Sequence, residues 1–162
     1  MTLSIDGAAQ AEPPSSSASV TEVSIHGQRG VIATLAFSPG SIVAPLIVER
    51  TDREASRYSI QQDEQRHIVV ALPLRLMNHS CQPNCMLDVE KLNVVALRPL
   101  AAGDELTFFY PSTEWEMAEP FDCHCGAATC LHTIRGAREL SDDELSASPV
   151  APHIQRLRQA RS

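Results

Sequence analysis

Three thiols fall within eight residues at Cys123, Cys125 and Cys130, around Gly126, so that one loop can offer several ligands to one ion. A tetrahedral zinc site wants four Cys or His ligands, with Zn–S bonds of about 2.3 Å. The fourth must come from elsewhere: His124 and His132 are local candidates, and Cys81, Cys85 and His79 are distal ones. Buried structural thiols are the plainer alternative, but the two cysteines of a Cys-x-Cys pair point different ways and rarely share a core. A second stretch, Met77-Asn78-His79-Ser80-Cys81-Gln82-Pro83-Asn84-Cys85, sets polar side chains directly after the nearly apolar run 68–74. Amide, imidazole and hydroxyl groups delivered to the edge of a core need partners or a ligand.

Charge is the third feature. Residues 99–134 hold Asp104, Glu105, Glu114, Glu116, Glu119 and Asp122 and not one Lys or Arg. This is either a solvated acidic face or a surface that attracts a cationic substrate. The net charge of −7 argues against a nucleic-acid binder, since phosphate contact shows as a basic patch.

The elements that must position these residues read as mostly β. At 162 residues, 43% hydrophobic and 20% charged, the chain suits one globular domain with appendages. No apolar run approaches the roughly 18 to 20 residues of a membrane helix, so no membrane partner is expected. The first ten residues carry Asp6, no Lys or Arg and no apolar core, which predicts no secretory signal and a cytoplasmic site, or a nuclear one in a eukaryote. In that reducing setting the five cysteines are expected as thiols or metal ligands.

Residues 1–20, rich in Pro, Ser and Ala, are expected as a flexible tail. Short Val, Ile and Leu runs cut by Gly, Pro and Asn predict strands at 22–26, 30–36, 41–48, 66–71, 84–88, 92–98 and 105–109. Pro39-Gly40 and Gly103-Asp104 mark turns, and 84–98 reads as a hairpin with Glu90-Lys91 at its tip. Only 141–161 offers helix, with Ser141 and Glu144 at capping-box spacing and an interruption forced by Pro149 and Pro152.

Residues 78–84 resemble the Asn-His-Ser-Cys-x-Pro-Asn signature of SET-domain protein lysine methyltransferases. In that family the signature is followed by a Glu-Leu-Thr-x-x-Tyr motif and then a post-SET Cys-x-Cys-x4-Cys. The chain holds all three in order, the second at Glu105 to Tyr110 and the third at Cys123, Cys125 and Cys130. Arg29-Gly30-Val31-Ile32-Ala33 and Pro39-Gly40 resemble the family's opening, so the likeness covers roughly 22–135.

The resemblance implies a SET fold of small curved β-sheets with a pseudoknot, in which the Asn-His segment threads under a later loop, and a short zinc-bound C-terminal post-SET segment. It divides the chain into a tail (1–20), a SET domain (21–122), a zinc segment (123–138) and a helical tail (139–162). It further implies that Asn78 and His79 line an S-adenosylmethionine pocket, with Arg29 and Gly30 on its other side and Leu131 near the adenine. Zn2+ would be held by Cys81, Cys123, Cys125 and Cys130, leaving Cys85 free. Tyr110 matches the catalytic tyrosine, and Phe108 the position that varies between Phe and Tyr, where Phe permits higher methylation states.

The implied reaction is methyl transfer to the side-chain amine of lysine in a protein or peptide, with a basic, histone-like protein the family's common target. Chemistry of this kind asks the protein for alignment, a polar cage and a neutral amine. Four positions depart from the family pattern: Gln28 replaces the first opening Gly, a Tyr is missing around 48–50, Leu87 stands where some members carry an active-site Tyr, and Phe109 replaces an Asp. The insert 49–77, one wall of the family's peptide groove, is short, which admits a small-molecule amine as acceptor. An inactive cofactor-binding module is the other alternative. Tyr58 is expected in the core, and Trp115 either roofs the substrate channel or packs on the body.

Overall fold

The computed structural model describes residues 19–161. The expected tail therefore lies outside the described residues up to 18, and its last residue, Val20, is already buried at the start of the first strand.

Strand β1 (Val20–Ile25) turns through His26 and Gly27 into β2 (Gln28–Ala33). Both turn residues have positive φ, 49° and 82°, as a two-residue hairpin loop demands. Next come β3 (Ile42–Pro45) and β4 (Val48–Asp52), which the apolar run 41–48 had predicted as one strand. The chain breaks between them because Leu46 turns inward and donates its amide to Leu92 O at 2.8 Å, while Ile47 turns out to solvent. The halves consequently serve different sheets.

β3 joins a three-stranded sheet in the order β3-β9-β8, in which β8 (Cys85–Asp88) and β9 (Asn93–Ala96) form the expected hairpin. β4 joins β5 (Ile60–Gln61) and β6 (His67–Val70) in a second sheet, in the order β4-β6-β5. The remaining strands are pairs of two residues each: β7 (Asn78–His79) with β10 (Thr107–Phe108), and β11 (Phe121–Asp122) with β12 (Thr133–Ile134). Among the described residues β7 with β10 is the one parallel pair, setting Asn78 beside Thr107 and His79 beside Phe108. It joins the two segments that the resemblance expected to cross.

The main core draws residues from four of the five sheets and the segments beside them, including Val31, Val43, Ile68, Val94, Leu106 and Phe109, while Ile134 of β12 packs with Cys81 and Cys123 in a second cluster. Leu87 and Phe109, two of the positions that depart from the family pattern, are buried there. Helix α1 (Asp142–Leu145) carries the expected capping box of Ser141 and Glu144, and α2 (Pro152–Gln159) starts on Pro152. Among the described residues no helix is long and apolar enough to cross a membrane.

The C-terminal region backs the segment that follows β10. Ala137 N–H donates to Glu114 O and Ala151 N–H to Ser112 O, both at 2.8 Å, and His153 Nε2 donates to Thr113 O at 2.7 Å. Gly136 permits the closest of these approaches. With φ at +130°, a Cβ there would lie 2.6 Å from Trp115 O, so only glycine fits.

Candidate functional site

The parallel pair β7–β10 gathers the polar residues of the two motifs. Asn78 Nδ2 donates to Glu105 Oε1 at 2.8 Å and to Arg29 O at 3.1 Å, joining the opening hairpin to both motifs. Gly30 sits behind this bond, and a Cβ on it would meet Glu105 Oε1 at 3.0 Å and Asn78 Nδ2 at 3.1 Å. Asn84 closes the far end, donating to Glu105 O at 2.7 Å and accepting from Thr107 N–H at 2.9 Å.

His79 Nδ1 accepts the backbone N–H of Tyr110 at 3.2 Å, which leaves the ring proton on Nε2, 3.3 Å from Cys81 Sγ. Burial holds the imidazole neutral, with its pKa lowered to about 4. The Tyr110 hydroxyl donates to Met77 O at 2.8 Å, and its ring lies 4.7 Å from that of Phe108. Burial first, and the charge of Glu114 next, push the phenol up to about 12, so it remains a hydroxyl at every ordinary pH.

These groups face a cavity of about 1130 Å³ lined by Asn78, His79, Phe108 and Tyr110 along one side and by residues 56–60 and 117–122 along the others. Arg29 also lines it, its guanidinium paired with Glu22 at 2.6 Å. Gly30 and Leu131 do not line it. Gly30 acts through Asn78 and Glu105, and Leu131 packs among the cysteines with its amide 3.4 Å from Cys81 Sγ.

Cys81, Cys123, Cys125 and Cys130 come together with their sulfurs all within 4.8 Å of one another. A tetrahedral Zn–S4 centre has S···S edges of about 3.8 Å, so four thiolates fit one metal ion with little movement. Burial pushes Cys81 up to about 11 and Cys123 higher still. At Cys125 burial acts the same way, but hydrogen bonds from the cluster and its backbone outweigh it and bring the thiol to about 6. A donor set this crowded carries its negative charge only with a cation at its centre. Cys85 is buried in β8, apart from the cluster, and His124 and His132 are exposed outside it.

Two expectations change, for Glu114 and Tyr58, and one open alternative, for Trp115, is decided. Glu114 does not belong to an acidic surface: it is 7% exposed and accepts Gln61 N–H at 2.8 Å, and Glu116 is paired with Arg138. Trp115 packs on the body, its amide bonded to Gln61 Oε1 and its ring under the Arg161 guanidinium. Tyr58 is 52% exposed at the cavity, where it meets solvent instead of the core. At the site, sequence reasoning missed the inward turn of Glu114 and its partner Gln61. The one available signal was the position of Glu114, four residues after Tyr110 and flanked by Thr113 and Trp115.

The fold and this site define a class: residues 28–111 match the SET domain, and the chain belongs to the SET-domain family. It is 42% identical over 101 residues to the methyltransferase flvH of Aspergillus flavus, covering 61% of this chain and 57% of that protein. It is 29% identical over 155 residues to the histone-lysine N-methyltransferase Suv4-20 of Caenorhabditis briggsae, covering 85% of this chain and 47% of that protein. The chain thus spans about half the length of these curated relatives. Its fold is similar to that of KRYPTONITE, solved in complex with mCHG DNA and SAH, with a TM-score of 0.57 at 20% identity over 70% of this chain and 28% of that one.

Proposed function

We propose that the chain is an S-adenosylmethionine-dependent methyltransferase acting on the side-chain amine of lysine in a protein. The single observation that carries this reading is the placement of the Tyr110 hydroxyl and the Phe108 ring beside Asn78 and His79 along one side of the cavity. The histone-lysine methyltransferase among its relatives supports lysine as acceptor, a basic histone-like protein as the target and a nuclear setting for it.

S-adenosylmethionine supplies an electrophilic methyl group on a sulfonium. Asn78, His79 and Arg29 would hold it, with Gly30 keeping Asn78 in place and Leu131, packed among the cysteines, supporting the adenine end from outside the cavity lining. Tyr110, fixed by Met77 O and unable to ionise, orients the acceptor nitrogen through its oxygen. Phe108 offers no hydrogen bond there, so no water is held against a second methyl group, and higher methylation states are expected. Zn2+ on Cys81, Cys123, Cys125 and Cys130 would tie the segment 121–134 to the motif at 78–81. The described chain then divides into a SET domain that begins with β1 and runs to 122, a zinc segment (123–138) and a helical tail from 139.

A second reading keeps the chemistry and changes the acceptor to a small amine. The wall between β4 and β7 supports it, since it supplies a two-residue strand and a short loop at 56–60 where a peptide would need a longer groove.

The test is incubation with methyl-labelled S-adenosylmethionine and either core histones or free L-lysine. Label in histones that disappears in Tyr110→Phe is the expected result. Label confined to L-lysine selects the second reading. Labelling of neither, with SAH binding intact, overturns the transferase reading.

A further inference from the structure

Glu114 is the one acidic side chain among the described residues that is buried, and it lines the cavity. Its two carboxylate oxygens have different surroundings. Oε1 accepts Gln61 N–H at 2.8 Å and stands 3.2 Å from the Thr113 hydroxyl. Oε2 has no hydrogen-bond partner among the described residues, yet it is not sealed away from solvent as Ser19 Oγ and His153 Nδ1 are. The carboxylate is thus held by one oxygen and offers the other to the cavity.

A buried carboxylate with an open oxygen is costly unless something occupies it. Purely structural anchoring of Gln61 would be met by a neutral amide, which leaves no reason for a charge there. The remaining acids of the cavity are engaged or exposed: Glu105 holds Asn78, Glu119 lies 4.0 Å from Arg57, and Asp122 is exposed and near the Thr133 hydroxyl. Glu114 follows Tyr110 by four residues, donates its own N–H to Tyr110 O at 3.0 Å, and acts electrostatically on the phenol.

We propose that Glu114 receives the ammonium head of the acceptor beside Tyr110 and takes its proton. The proposal rests on the methyl-transfer reading and names the group that makes the amine reactive. An alkylammonium of pKa about 10.4 has no lone pair at neutral pH, and one N–H bond must break before nitrogen can act as a nucleophile. In this step the N–H electron pair stays on nitrogen and the proton forms an O–H bond on Glu114 Oε2. A cationic acceptor becomes a neutral amine and the carboxylate a carboxylic acid, with no other reactant consumed. The proton then passes from Glu114 to solvent through the cavity. Burial places the Glu114 carboxyl at about 7, between an ordinary carboxylate and the amine, a suitable value for a base near neutral pH. The charged and titratable side chains that share the cavity with it are those of Arg29, Arg57, Arg75, Tyr58, Tyr110, His26, His79, His124, Glu105, Glu119 and Asp122, with Cys123 and Cys125 at the cluster.

The test uses Glu114→Gln, which keeps an acceptor for Gln61 N–H, in two measurements. The first is binding of n-butylammonium, the head of a lysine side chain, to SAH-loaded protein by calorimetry at pH 7.5. The wild type is expected to bind at least about tenfold more tightly than the variant. The second is methyl transfer to whichever of core histones or L-lysine the wild type labels. The variant should lose about 100-fold or more at pH 7, and the loss should shrink towards pH 10, where the amine arrives neutral. A merely structural defect would give a loss independent of pH. Equal binding of n-butylammonium, or a pH-independent loss, overturns the role of Glu114. A wild type that binds the cation through Glu114 but labels neither acceptor overturns the transferase reading alone.

Discussion

The backbone N–H of Tyr110 donates to Nδ1 of His79 at 3.2 Å, and the tautomer this dictates turns the Nε2 proton of His79 towards Cys81 Sγ. One neutral imidazole therefore spans the cavity wall and the cysteine cluster. Disturbance of the cluster is transmitted to the tyrosine through a ring already in contact with Phe109, Tyr110 and Phe121.

Metal removal follows from that connection. Dialysis against a strong chelator is expected to lower the melting temperature and abolish methyl transfer, and added zinc to restore both. Elemental analysis should find one zinc per chain in the wild type and in Cys85→Ala, and less than half as much in Cys123→Ser. A full zinc content in Cys123→Ser would remove that residue from the site.

Tyr110→Phe removes one hydroxyl and its bond to Met77 O. The expected stability change is about 1 kcal/mol, that of one hydrogen bond in a part-buried setting. Turnover should fall about 100-fold or more. Equilibrium unfolding and labelled methyl transfer check the two numbers separately, and unchanged turnover would refute the role of Tyr110.

Gly30→Ala tests the support of Asn78. The new methyl group enters between Glu105 Oε1 and Asn78 Nδ2 at 3.0 and 3.1 Å, so their mutual bond must shift. The expected destabilisation is about 1 to 3 kcal/mol. SAH affinity measured by calorimetry should drop with it if the moved amide holds the cofactor as proposed.

Glu114 makes stability depend on pH. Burial lifts its carboxyl from an ordinary 4.5 to about 7, so the folded chain binds this proton more tightly than the unfolded chain. The stabilisation is fully present below pH 4.5 and is lost as pH rises through about 7, a change on the order of 3 kcal/mol. His67, His79 and His153, all lowered chiefly by burial, pull the other way below pH 6.5. The measure is therefore the difference between wild type and Glu114→Gln in denaturant midpoints from pH 4.5 to 8. A constant difference would contradict the buried carboxylate.

What sequence alone could reach here depended on how local the physics was. The hairpin 84–98 and the capping box at Ser141 and Glu144 are written in adjacent residues and stand as expected. The gathering of Cys81 with Cys123, Cys125 and Cys130 came from resemblance, because spacing left five candidates for the fourth ligand. The break at Leu46 and Ile47 was hidden, since both residues are apolar and what separates them is distant: Leu46 N–H donates to Leu92 O, while Ile47 O accepts Ala71 N–H. Glu114 was hidden in the opposite sense: composition shows a run of acids, and only the amide of Gln61, 53 residues earlier, draws this one inward.

The backing of residues 112–114 by Ala137, Ala151 and His153 has a consequence for the order in which the protein is made. A nascent chain that has emerged as far as Tyr110 contains the residues of the Asn78, His79 and Glu105 contacts, but not those that back the segment beyond it. Synthesis runs from the N-terminus, so the strands are in place before their brace arrives. α2 lies behind that segment and not in the cavity wall, so residues 112–114 gain their full backing only once the growing chain has passed residue 153.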